Sequence, residues 1–164
     1  MGFYAPAQLT QDARRHGMEI RPATVCASDW ECTLERGEHG APAVRLGLLM
    51  VKSLSQAGGE RIAAARRGAP FKSVEEVAER AALDRHDLRV LAAANAFAQL
   101  AGHRREAYWA VAGIETHANI LQHAPVNETL ALFEAPSEGE DLVADYRSLG
   151  LTLGRHPLAL LRPR

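Results

Sequence analysis

Val44-Arg45-Leu46-Gly47-Leu48-Leu49-Met50-Val51-Lys52-Ser53-Leu54-Ser55-Gln56-Ala57-Gly58-Gly59-Glu60-Arg61-Ile62 decides how the rest of this chain is read. An apolar turn of helix runs into a small-residue hairpin, Ser53-Leu54-Ser55, and a second helix starts at once. This is the layout of a helix-hairpin-helix. Amides of such a hairpin and of the next helical turn point outward as a concave donor cluster, and the helix dipole adds to it. A weaker copy follows at Leu91-Ala92-Ala93-Ala94-Asn95-Ala96-Phe97-Ala98-Gln99-Leu100-Ala101-Gly102. Two such hairpins, spaced to ride neighbouring phosphates, imply a grip on duplex DNA that is independent of base sequence.

The chemistry of the hairpins can be read residue by residue. The usual form is glycine, apolar, glycine, because glycine permits the tight turn and a close approach of the ligand backbone. Both glycines are serines here, Ser53 and Ser55. Serine is small and can donate to a phosphate, but it disfavours positive φ, so a distorted hairpin or a lowered affinity is expected. In the second copy Asn95 stands at the glycine position, and asparagine is the non-glycine residue best tolerated in the left-handed region. The expected DNA contacts are Lys52, Ser53, Leu54, Ser55, Gln56, Ala57 and Arg61 at the first hairpin. At the second they are Asn95, Ala96, His103, Arg104 and Arg105. A phosphate would dock directly, or through a monovalent cation held by hairpin carbonyls. Each contact made by Lys52, Arg61, Arg104 or Arg105 would steepen the salt dependence of binding. The plainer alternative is an all-α bundle that uses small residues at its turns for packing alone.

Outward from the hairpins, the fold class reads as mainly α. Gln56–Arg67 is one helix, broken at Gly68-Ala69-Pro70. Ser73-Val74-Glu75-Glu76 is a capping box that opens the next, with Val74, Val77, Ala78 and Ala81 as its buried stripe. Asp84 can cap a further helix that turns Leu88, Leu91 and Ala92 inward. Another runs from about Gly102 to Val111. Before this unit, Ala5–His16 reads as a helix with Pro6 in its first turn and Gly17 as its stop. Met18–Pro22, Trp30–Glu35 and Ala43–Leu46 alternate as short strands, the last two joined by the loop Arg36–Pro42 as a hairpin. The expected organisation is a small α+β piece over 1–47, tandem hairpins over 48–112, a linker over 113–137, and a helix with an apolar tail over 138–164. In that last helix Leu142, Val143 and Tyr146 line one side.

Composition sets the bounds. The apolar fraction, 47%, allows a true core, and 5% aromatics with abundant alanine favour close-packed helices over a β-sandwich. No apolar run reaches the length of a membrane span, and Met1–Pro6 lacks the pattern of a signal peptide. Cys26 and Cys32 are too few for a disulfide framework or a zinc site and read as reduced thiols of a cytoplasmic protein. The net charge of −1 hides a segregation: Val44–Ala112 carries 11 basic and 7 acidic residues, whereas residues 128–145 carry six acidic and no basic ones. That balance argues against a wholly electrostatic binder but leaves room for a local basic face.

The seven histidines form no ligand-spaced cluster, so no metal site is expected. Asp84-Arg85-His86-Asp87 invites an acid–base reading, but capping accounts for Asp84 and a solvated first turn for Asp87. No phosphate loop or nucleophilic triad is present.

The chain resembles the bacterial C-family DNA polymerases, and within them the error-prone, ImuC-type branch related to the polymerase III α subunit. Phe3–Leu9, Asp12–Gly17 and Arg21-Pro22 are similar to the end of the fingers domain. Val44–Leu48 with Lys52, Arg61-Ile62, Arg66, Pro70-Phe71 and Ser73-Val74 resembles the first hairpin unit, and Leu100–Trp109 the second. Ala144–Leu153 with Arg155-His156-Pro157-Leu158 resembles the junction before the family's OB fold. The resemblance implies a parent enzyme that adds deoxynucleotides to a primer with Mg²⁺ held by palm aspartates, which lie in a part of the polymerase that this chain does not contain. The fragment itself would need no cofactor, would hold primer-template duplex during damage-induced translesion synthesis, and would not polymerise alone. The resemblance also draws attention to Thr129–Phe133, where relatives carry a sliding-clamp peptide of the form Gln-x-x-Leu-Phe. Leu130, Leu132 and Phe133 would be its apolar contacts, although threonine replaces the leading glutamine. An alternative role follows, a protein-interaction module whose degraded hairpins dock the polymerase to mutagenesis accessory proteins or to the clamp.

Overall fold

The computed structural model describes residues 4–37, 40–117 and 134–161. The chain opens with α1 (Pro6–Arg15), starting on a proline and ending at Gly17, whose φ of 79° lets the backbone turn back. Three short strands follow: β1 (Glu19–Arg21), β2 (Thr33–Arg36) and β3 (Pro42–Arg45). The order in the sheet is β1-β3-β2, with β1 parallel to β3 and β2 antiparallel to it as the expected hairpin. Arg21 and Arg45 both grip the Glu35 carboxylate across this sheet, at 2.7 and 3.0 Å, and together hold its pKa below the usual range.

The helical unit has α2 (Gln56–Gly68), α3 (Val74–Arg80), α4 (Arg85–Ala93), the single turn α5 (Ala98–Ala101) and α6 (Arg104–His117). The expected caps form. Ser73 accepts from the Glu76 amide and Asp84 from the Asp87 amide, while the Glu76 carboxylate reaches back to the Lys72 amide. The core is one cluster, built from Ile62, Val77, Leu91, Phe97 and Val111 together with Val25, Leu46 and Leu48 of the preceding segment. The first forty-odd residues therefore pack into the helical unit: the Arg66 guanidinium of α2 donates to the carbonyls of Val25 and Ser28.

α7 (Glu138–Ser148) and α8 (Pro157–Leu161) complete the chain. On the expected apolar side of α7, Leu142 and Tyr146 are half-buried while Val143 is 47% exposed. Ion pairs to α6 add to this packing. Leu151, just beyond α7, is buried in the core, and the Leu153 carbonyl accepts from Arg14 of α1. α6 is longer than the sequence indicated, running through His117 into the stretch read as linker.

Candidate nucleic-acid interface

The first hairpin is a four-residue turn closed by the Leu54 amide donating to the Val51 carbonyl. Ser53, its third residue, has φ of 65°, where a turn of this kind favours glycine. The turn thus keeps its shape at the cost of a strained serine. Ser55 is different: its φ of −70° is ordinary extended backbone, and no glycine is needed there. It caps α2 by accepting from the Gly58 amide.

Ser55 also donates twice to one carboxylate. Its amide reaches Asp87 Oδ1 at 3.1 Å and its hydroxyl reaches Asp87 Oδ2 at 2.7 Å. Asp87 is 1% exposed, which corrects the solvated role expected of it. The carboxylate sits between the amino ends of α2 and α4, where both helix dipoles favour a negative charge. Its neighbour His86 approaches the Ser53 carbonyl at 2.9 Å through Nε2. A carbonyl can only accept, so Nε2 carries the proton. The Ser53 carbonyl thus takes one hydrogen bond from the α4 side of the brace.

Two glycines that sequence reasoning passed over are required here. A Cβ at Gly58 would lie 2.4 Å from Asp87 Oδ2, and one at Gly59 would lie 2.5 Å from the Trp30 ring. They let α2 approach α4 on one side and the Trp30 segment on the other. The signal was present as the Gly58-Gly59 pair inside a helical pattern.

On the outer side, the amides of Ser53, Gln56 and Ala57 meet no acceptor among the described residues, and all three residues are exposed. They form an open donor cluster at the start of a 13-residue helix, chemistry suited to an anion. Leu54 is 8% exposed and serves the core instead. The Lys52 amide donates to the Ser148 carbonyl and its ammonium to the Tyr146 carbonyl. Neither contact neutralises the Lys52 charge, and Arg147 projects beside it without a carboxylate partner among the described residues.

The second hairpin is built for another purpose. The Asn95 amide donates to the Ala92 carbonyl and the Ala96 amide to the Leu91 carbonyl, with Asn95 at φ 57°. That is a Schellman cap on α4. The Ala96 carbonyl in turn accepts from the Val25 amide and the Thr24 hydroxyl, and Ala96 is fully buried. The amides of Asn95 and Ala96 are thus engaged within the chain, and the Thr24–Val25 segment lies against the turn.

The basic residues expected around the hairpins are likewise engaged. Arg61 caps α3 through the carbonyls of Ala81 and Ala82. Arg104, 5% exposed, pairs with Asp141 and Asp145 of α7 and donates to the Ala93 carbonyl. Arg105 pairs with Glu140 at 2.8 Å, and His103 turns toward Glu106 on its own helix. Arg61, Arg104 and Arg105, expected to face DNA, thus all have partners within the chain, and those of Arg104 and Arg105 are carboxylates of α7. Leu130, Leu132 and Phe133 lie outside the described residues. No three His, Cys, Asp or Glu side chains converge as metal ligands among the described residues. No described helix is long and apolar enough to cross a membrane.

A protein family described as the helix-hairpin-helix motif matches residues 17–107, more than half of the chain. The chain belongs to the helix-hairpin-helix family. Relatives extend the likeness to its full length. A protein named error-prone DNA polymerase in Alkalilimnicola ehrlichii is 56% identical over 100% of this chain and 16% of its own length. Proteins of the same name in Ralstonia nicotianae and Burkholderia pseudomallei are 54% and 51% identical over 100% and 99% of the chain, again across 16% of their own length. The resemblance to the error-prone polymerase branch is borne out by these relatives. The chain spans about one sixth of the length of the curated relatives it matches.

Proposed function

We propose that this chain is the DNA-holding segment of an error-prone DNA polymerase that works in the cytoplasm in translesion synthesis. It grips backbone phosphates of the primer-template duplex without reading bases. The observation that carries this reading is the open first hairpin: amides of Ser53, Gln56 and Ala57 exposed and unpartnered beside the charge of Lys52, on a brace fixed by Asp87. A phosphate there accepts from outward amides and is attracted by the α2 dipole. Nothing in such a contact distinguishes one base from another. In the whole polymerase, Mg²⁺ would serve nucleotide addition elsewhere, and this segment would keep the duplex in place.

The sharpest test is Gln56→Pro. Proline at the first position of a helix fits the backbone and removes the amide hydrogen together with the Gln56 side chain's bond to Glu60, a loss that Gln56→Ala reproduces by itself. Ser55, extended at ψ 138°, accommodates a following proline. Titration of a short duplex at low salt is expected to show binding by the unmodified chain and about tenfold weaker binding by the variant, the worth of one charge-assisted hydrogen bond, at unchanged thermal stability. Equal binding by both, or none by the unmodified chain at low salt, would overturn the proposal.

A further inference from the structure

A groove of about 690 Å³ opens beside the first hairpin, walled by α4, α6 and α7. Val90 and Ala93 of α4 form its floor, Tyr108 of α6 one wall, and Val143 and Ala144 of α7 the other. Tyr108 and Val143 are 45% and 47% exposed, so each presents an apolar surface to the opening that no described residue covers. The charges around it are uneven. Arg104 is neutralised by Asp141 and Asp145, and Glu140 by Arg105, which leaves Lys52 and Arg147 as the groove's cations without a carboxylate partner among the described residues. Both stand at the end where Ser53 of the hairpin also lines the groove.

We propose that this groove receives an unpaired base of the bound DNA, with Tyr108 as the stacking face and Lys52 and Arg147 holding the phosphate at its mouth. The inference rests on the hairpin reading, because the hairpin is what brings a phosphate chain to the groove. An aromatic face beside backbone-directed cations is the combination that binds single strands with little regard to sequence. The volume falls in the range of sites that take small aromatic ligands. A paired base would not fit, since its edge and faces are already engaged in the duplex. The selected ligand is therefore a single-stranded extension or a base displaced from the stack, adjoining the gripped duplex.

The test compares a blunt duplex with the same duplex carrying a short unpaired extension that contains a fluorescent adenine analogue. The 164-residue chain is expected to bind the extended duplex at least about fivefold more tightly and to change the analogue's emission. Tyr108→Ala is expected to abolish both the preference and the emission change while leaving blunt-duplex affinity as it was, and Tyr108→Phe to retain both. Val143→Trp, which fills the groove from the opposite wall, should act like Tyr108→Ala and guards against a folding defect in either variant. Binding of both duplexes with equal affinity, unaffected by Tyr108→Ala, would overturn the groove proposal and leave the hairpin reading intact. Binding of neither would overturn the hairpin reading itself. Capture of a peptide in the groove with no emission change in the extension would overturn it in favour of a protein partner.

Discussion

The two serines of the first hairpin occupy equivalent places in the motif and have opposite physical roles. Ser53 sits in the left-handed region with no Cβ tolerance to spare, so Ser53→Gly is expected to raise stability by about 0.5–1 kcal/mol, the relief of strain less the entropy that glycine adds to the unfolded chain. Ser55 carries a cap and a double donation to a buried carboxylate, so Ser55→Gly is expected to lower stability by about 1–3 kcal/mol. Urea denaturation of the two variants checks both signs, and the same sign for both would contradict the geometry. Asp87→Ala should cost about 1–3 kcal/mol by stranding the Ser55 donors, and Asp87→Asn less, because its carbonyl still accepts one of them. The serine-for-glycine exchange was legible in the sequence, but the division of labour was not. It depends on a carboxylate 32 residues away, and local pattern carries no information about that partner.

At the scale of elements, helices and caps followed from neighbouring residues. Ser73 and Asp84 cap the helices assigned to them because the capping oxygen and its amide are three residues apart. The arginines illustrate the limit of such reading. Arg61 and Arg104 read as DNA-facing charges, yet Arg61 holds the carbonyls of Ala81 and Ala82 and Arg104 pairs with carboxylates of α7. Asn95 showed its left-handed turn in the sequence, but not that the turn ends a helix under Thr24. The docking of α7 is similarly tertiary, whereas its first turn sets a pH dependence. The amide and hydroxyl of Ser137 hold Glu140 below the usual carboxyl range, and Arg155 does the same for Glu138. In the unfolded chain these glutamates protonate near a pH of about 4.3. The folded chain therefore binds fewer protons around that pH. The stabilisation is complete above it and is lost as pH falls through the lowered values. Amide chemical shifts of Glu138–Ser148 should reach coil positions at a higher pH than those of Gln56–Gly68. Simultaneous loss would show that α7 is held by something other than its ion pairs. Arg104→Ala should release the same helix at neutral pH, at a cost of about 2–3 kcal/mol, because Asp145 is left part-buried without its partner.

For the whole molecule, internal pairing decides how DNA binding responds to salt. Much of the basic excess of the helical unit is offset by the α7 carboxylates that pair with Arg104 and Arg105. With one open hairpin and the two cations Lys52 and Arg147, the slope of log affinity against log salt is expected to be about −2 to −3. A slope near −8 would mean that the arginines leave their internal partners on binding. The segregated charge seen in the sequence was real, and its use was not legible there, because a basic stretch looks the same whether it faces phosphate or an acidic helix of its own chain.

The brace at Asp87 has a mechanical consequence. α4 meets the hairpin at its amino end through Asp87 and His86, and its carboxyl end finishes in the turn pinned by Thr24 and Val25. It is a strut. Tension on a gripped phosphate would run along it, and the load would arrive at the segment leading into the small sheet. A pull on bound DNA would thus reach the Thr24–Val25 segment with no side chain needing to change partners on the way.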